Sequence, residues 1–178
     1  MTTSPLPAAL SFEQAITETQ TILAQYQAEQ LSPQLLQQAI QTLVQTDNGA
    51  RGFFVTFLTA EACPLANQPT PEVLEALRSN PSTVSELLVK NLVMSAAMRI
   101  YHTRQQDETA VAGSKRVCRR TQKLIRVLNL PEIWETITQM NQSLDEQGSF
   151  TAFLERWEYD DKQRMEIRLV LRSTQPDT

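Results

Sequence analysis

Capping residues followed directly by proline recur along this chain and mark the starts of helices. Ser32-Pro33, Thr70-Pro71 and Asn80-Pro81 each join a side chain that can cap a helix to a proline at the first helical position, where no backbone hydrogen bond is lost. Ser11, with Gln14 three residues later, has the pattern of a capping box. Several helices therefore begin at points that the sequence itself specifies.

Apolar residues follow these starts at the spacing of an α-helix. The second helix is expected to end at Asp47-Asn48-Gly49, with Gly49 in the left-handed conformation that ends many helices. Residues 63–69 are expected to form a loop. The remaining predicted helices cover residues 11–29, 71–78, 82–102, 110–128, 132–146, 150–157 and 160–172.

Residues 50–61 are compatible with either a helix or a strand. Their aromatic and β-branched side chains favour a strand, but a strand needs a partner. The other candidate strand, residues 165–171, alternates only in part between polar and apolar residues. We therefore favour a buried helix at 50–61 and an all-α fold.

The expected architecture is a single compact domain over residues 11–172, with about six to eight helices around a central apolar helix at 82–102. Residues 1–10 are expected to form a flexible arm and residues 173–178 a disordered tail. The methionine-containing segment from Val89 to Met98 is either part of the core or the seam of a homo-oligomer.

The sequence limits the cellular location that we expect for the protein. Cys63 and Cys118 make neither a metal-binding spacing nor a disulfide framework. The N-terminus lacks the pattern of a signal peptide, and no stretch approaches the length of a membrane span. We expect a soluble, cytoplasmic protein.

Positive charge is concentrated in the middle of an acidic chain. Residues 90–126 contain nine basic and two acidic residues, a net charge of +7, whereas the whole chain has −4. At about 100° per residue, six of these cations project within about 140° of one helix, opposite an apolar stripe. This predicted cationic face consists of Lys115, Arg116, Arg119, Arg120, Lys123 and Arg126.

Three explanations of the cationic face stay open. It is an ordinary solvated surface, a docking surface for an acidic protein, or a nucleic-acid site. Nucleic acid is disfavoured because the chain is acidic overall and no aromatic residue interrupts these charges to stack on a base. The leading hypothesis is a non-enzymatic interaction or regulatory protein that docks an acidic partner, with Arg104 and Arg51 as candidate extensions of the surface.

An alternative site lies at Asn48, Gly49, Arg51 and Gly52. Two glycines beside an arginine between helices could bring backbone donors and a guanidinium group to one anion. This arrangement would make the protein an anion- or small-ligand-binding protein. The competing interpretation is a helix end followed by a turn.

The sequence offers little that could form a catalytic site, and only a pairing of Cys63 or Cys118 with His102 stays open. His102 is the single histidine, so no site with two histidine ligands can form in one chain. The acidic residues near Tyr159 fit a helix cap and a solvated surface better than a metal site. No cofactor motif is present, and we predict neither a cofactor nor a metal.

Two segments resemble a small helical family of cyanobacteria. These are NGARGFFVTFLT at 48–59 and SELLVKNLVMSAAM at 85–98, in a chain rich in Gln and poor in Lys. The resemblance covers about residues 30–172. It implies a cyanobacterial cytoplasm and a link to photosynthetic or regulatory physiology, and it supplies no catalytic residues.

Overall fold

The computed structural model describes residues 10–145 and 147–175, and this part of the chain forms α-helices and no strand. The all-α prediction is therefore confirmed, including the helix at 50–61. The helices are α1 (Phe12–Gln27), α2 (Pro33–Val44), α3 (Asp47–Thr59), α4 (Pro64–Asn67), α5 (Pro71–Arg78), α6 (Pro81–Arg104), α7 (Glu108–Leu128), α8 (Pro131–Leu144), α9 (Thr151–Arg156) and α10 (Asp161–Thr174).

Some differences from the expected boundaries are local. Part of the segment predicted as a loop at 63–69 forms the single turn α4, and α10 includes two residues of the predicted tail. Most of the predicted arm, the end of the tail and residue 146 of a predicted helix lie outside the described residues. None of the described helices is both long enough and apolar enough to cross a membrane.

The predicted capping signals produce helix starts. At α1 the Ser11 hydroxyl accepts a hydrogen bond from the Gln14 N–H, and the Gln14 side chain accepts one from the Ser11 N–H. The Ser32 hydroxyl accepts a hydrogen bond from the Leu35 N–H at the start of α2. These bonds satisfy backbone donors that the helix itself cannot satisfy.

The prediction for Gly49 was wrong. Helix α2 ends at Val44, and Thr46 caps a new helix by accepting a hydrogen bond from the Gly49 N–H at 3.1 Å. Gly49 is thus the third residue of α3. A Cβ atom at this position would collide with the carbonyl oxygen of Leu43. Glycine is needed here for the close approach of two helix ends and not for a left-handed conformation.

The helices form two compact units, the first ending at Thr83 and the second beginning at Val84. In the first unit, α1 packs against α3, and α2 packs against α3 and α5. Three phenylalanines of α3 are fully buried and form the aromatic core of this unit: Phe53, Phe54 and Phe57. The rings of Phe53 and Phe57 stack, with 5.0 Å between their centroids. The prediction of a single domain over 11–172 stays a prediction.

Gly52 sets the distance between α1 and α3. A Cβ atom on Gly52 would lie 2.5 Å from the Cβ of Ala15 and 2.9 Å from its carbonyl carbon. Both residues are buried, and Ala15 is 0% exposed. The two small residues therefore allow the helix backbones to approach closely.

The second unit is organised around α6, α7, α8 and α10. Within α6 the segment from Val89 to Met98 contains five fully or almost fully buried apolar residues, which supports its assignment to the core: Val89, Leu92, Val93, Ala96 and Ala97. Helix α10 packs against α7 and α8. Whether the chain forms a homo-oligomer stays open.

Polar side chains connect α6 to α10. Arg99 pairs with Glu166, Arg104 pairs with Asp160, and the Gln163 amide donates a hydrogen bond to the carbonyl of Ala97. These three contacts join the second half of α6 to the start and middle of α10.

We expect Gly52→Ala and Gly113→Ala to have opposite effects on stability. Gly52→Ala adds a methyl group where α1 leaves no space, and it should lower the free energy of unfolding by about 1–3 kcal/mol. Gly113 lies within α7 and has no atom within 4 Å of its added Cβ. Alanine there should raise the free energy of unfolding by about 0.5–1 kcal/mol because it favours helix. Urea denaturation measures both, and equal effects would contradict the assigned packing.

The Asp160–Arg104 pair should make stability depend on pH in a defined window. The side-chain hydrogen bond from Arg104, helped by the backbone N–H of Gln163, lowers the pKa of Asp160 from 3.8 to about 2. The stabilisation is therefore present above about pH 4 and is lost as the pH falls towards 2. Asp160→Asn keeps the capping oxygen and removes the charge, so its Tm should lie below that of the wild type at pH 7.

The Tm values of the wild type and of Asp160→Asn should converge between pH 4 and pH 2. Asp161→Asn, which removes a charge from the same turn without breaking an ion pair, is the matched control and should show a smaller gap. If the difference in Tm between Asp160→Asn and the wild type did not change with pH, the ion pair would contribute nothing to stability.

Candidate functional site

Helix α7 carries the cationic face. The Asp107 side chain caps its start by accepting a hydrogen bond from the Ala110 N–H at 2.9 Å, and Asn129, in the left-handed conformation, ends it. The side of α7 that faces the core contributes four buried residues, namely Thr121, Leu124, Ile125 and Leu128. These four residues all belong to the predicted apolar side of the helix.

Four of the six predicted cations form one exposed row along α7. We call this row the cationic patch; it consists of Lys115, Arg119, Lys123 and Arg126. Successive members are separated by four, four and three residues, so they lie one turn apart. The patch is about 16 Å long at 1.5 Å per residue.

Arg120 does not belong to the exposed surface, which corrects its assignment to a docking face. It is 2% exposed and is among the largest fully buried side chains of the described residues. Arg116 is half-buried. Both project at 100–140° from Lys115, whereas the cationic patch spans about 80° of the helix surface.

The members of the cationic patch differ in their contacts. The Arg126 guanidinium donates a hydrogen bond to the carbonyl oxygen of Ser173 at 2.8 Å, a neutral acceptor that leaves its charge uncompensated. Lys115 and Arg119 are exposed, and neither side chain takes part in a hydrogen bond or ion pair within residues 10–145 and 147–175. Two neighbouring cations are therefore available to an external anion.

Several carboxylates of the second unit are engaged by cations outside α7. Glu86 pairs with Lys90 on α6, and Asp145 pairs with Arg168 on α10 at 2.6 Å. Glu166 and Asp160 are taken by the two arginines of α6 described above. These intramolecular pairs leave fewer acidic groups to neutralise α7.

Helix α10 presents a second exposed surface that the sequence reasoning missed. Met165 is 64% exposed and Leu169 is 57% exposed, although both are large apolar side chains. Exposed Lys162 and Arg172 lie on the same side of the helix. A helical projection of residues 161–174 places these side chains on one side, whereas the partial alternation at 165–171 is also compatible with a strand.

The residues proposed for anion binding do not converge on one point. The Gly49 N–H is already bonded to Thr46, and the backbone of Gly52 lies against Ala15. Exposed Arg51 lies over the ring of Phe12, with 5.1 Å between the guanidinium carbon and the ring centroid. The two glycines thus serve helix packing, and the arginine is directed to an aromatic ring.

The candidate extensions add little to the cationic patch. Arg104 is paired with Asp160, and this hydrogen bond raises the pKa of Arg104. Arg51 belongs to the first unit. Only charges on α7 itself are therefore assigned to the patch.

Cys118 is the single cysteine and His102 the single histidine of the second unit. Burial raises the pKa of the Cys118 thiol, which therefore stays protonated at neutral pH. His102 contacts the ring of Tyr101 edge-on, with centroids 5.4 Å apart. In the part of the chain that the structure describes, no three His, Cys, Asp or Glu side chains are grouped to hold a metal ion.

Comparison with known proteins adds one relation. Residues 11–174 match the model of a family described as uncharacterised conserved protein UCP020893. No curated protein and no solved structure matches the chain. The matched region includes every described helix and both compact units. The chain therefore belongs to this uncharacterised conserved family.

Proposed function

We propose that the protein is a non-enzymatic interaction protein and that its cationic patch binds an acidic segment of a partner protein. The observation that carries the proposal is the state of Lys115 and Arg119. They lie one turn apart on α7, are exposed, and have no ion-pair partner within the described residues. Exposed charges of one sign attract and orient a partner of the opposite sign.

The spacing of the patch defines the partner. Carboxylates that match it lie about 6 Å apart over a length of about 16 Å, as Asp or Glu residues on one side of a helix do. Arg119 and Arg126 offer planar forks of donors that suit carboxylates, whereas the two lysines act as point charges. The best match is an acidic helix that lies along α7.

The row of like charges is unfavourable for the isolated protein. Cations spaced four residues apart on a helix repel each other, and each such pair costs about 0.2–0.5 kcal/mol. Lys115 and Arg119 form one pair of this kind. An acidic partner would remove this repulsion, which supports a role for the row in binding.

A protein partner is favoured over nucleic acid. Helix α7 contains no aromatic residue that could stack on a base, and the chain has a net charge of −4. The anion-binding alternative at residues 48–52 has less support because the Gly49 N–H is already bonded to Thr46 and Arg51 lies over the ring of Phe12.

The double variant Lys115→Glu/Arg119→Glu tests the proposal. Its binding to a fluorescent Glu-rich helical peptide should be about ten- to one-hundredfold weaker than that of the wild type, because attraction becomes repulsion at two positions. Fluorescence anisotropy at about 20 mM salt measures this affinity, and binding by the wild type should fall steeply as salt rises. The fold should be retained, since both side chains are exposed.

The matched control is Arg156→Glu/Lys162→Glu. It changes the net charge equally at two exposed cations outside α7 and should bind the peptide almost as well as the wild type. Equal loss in both double variants would show an effect of net charge alone and would refute the patch. Tighter binding of RNA than of the peptide would identify a nucleic-acid site instead.

A further inference from the structure

The first unit contains a pocket of about 720 Å³. Its walls come from the second half of α1, the end of α3, α4 and the first residue of α5. This volume falls in the range of pockets that bind small molecules. No residue of the cationic patch contributes to it, so its function is argued independently of that patch.

The chemistry of the pocket wall selects against charged ligands. None of the described lining residues is Asp, Glu, Lys, Arg or His. The wall is mainly aliphatic and proline side chains, together with Tyr26, Cys63 and three glutamines. A charged ligand would lose its hydration here without gaining an opposite charge, whereas an apolar ligand would be removed from water at little cost.

Two hydroxyl groups at the pocket lack hydrogen-bond partners. Thr56 and Thr70 both line it, and the Oγ1 atom of each is buried without a partner. Thr70 occupies the N-cap position of α5, where a threonine hydroxyl usually accepts a bond from the first turn, but it makes no such bond. Rotation about χ1 moves each hydroxyl to another staggered position, so the oxygen can turn towards a ligand.

We propose that this pocket binds a neutral, mainly apolar small molecule that carries a carbonyl or hydroxyl group. The apolar body of the ligand contacts the aliphatic wall, and its oxygen forms a hydrogen bond with Thr56 or Thr70. The ligand thereby satisfies a buried hydroxyl that is unpaired in the free protein. Phosphorylated metabolites and other anions are excluded because the wall offers no cation.

Titration with Nile red, a neutral apolar dye with a ring carbonyl, tests the proposal. The wild type should show a saturable rise in dye fluorescence with one site per chain. Ala24→Trp should abolish this signal, because Ala24 is an exposed pocket residue and the indole would fill the pocket. Gln25→Trp places the same side chain on the same helix outside the wall and should bind dye like the wild type.

Thr56→Val and Thr70→Val separate the role of the hydroxyl groups from that of the fold. Valine has nearly the same shape, so removal of an unpaired hydroxyl should not lower the Tm of the free protein. At least one variant should bind Nile red about three- to tenfold more weakly. Unchanged affinity in both variants would refute the proposed hydrogen bond.

Alkylation of Cys63 locates the dye. Cys63 lines the pocket and is 6% exposed. In the Cys118→Ser variant, bound Nile red should slow the reaction of this thiol with N-ethylmaleimide. Absence of saturable binding, equal binding by the two tryptophan variants, or saturable binding without protection of Cys63 would overturn the proposal.

Discussion

Two ion pairs between α6 and α10 set which carboxylates of the second unit stay available to other cations. The arginines Arg99 and Arg104 on α6 hold Glu166 and Asp160 on α10, so these carboxylates are not available to α7. Helix α7 itself has a single acidic residue, Glu108, in its first turn. These ion pairs leave fewer acidic groups in the second unit to neutralise the exposed cations of α7.

The first unit depends on a different constraint, the close approach of helices at glycine. Gly52 brings α3 against α1 at Ala15, and Gly49 allows α3 to begin immediately beside the end of α2. Both glycines lie in the segment that sequence reasoning interpreted as an anion site. Because both glycines serve helix packing, the small-molecule site proposed for this unit is the pocket with the hydroxyl groups of Thr56 and Thr70. The two proposals thus concern different chemistry in different units.

Local patterns predicted local features well. The Ser11 cap of α1 and the Asp160 cap of α10 depend on side chains and backbone only three residues apart, so they can be read directly from the sequence. The burial of Arg120 could not be read from the sequence, because a helical projection gives the angle of a residue but not the width of the helix surface that the core covers. The pocket was also out of reach, since it joins residues 20–27 to residues 56–71 through tertiary packing.

The central claim is that an acidic partner binds along the exposed row of α7, and an amide chemical-shift titration tests it most directly. Isotope-labelled protein would be titrated with poly-L-glutamate at about 20 mM salt, where charges are weakly screened. The account predicts that shift changes concentrate at residues 115–126, follow the positions of the cationic patch and disappear at high salt. Changes spread over the whole chain, or confined to other helices, would contradict it.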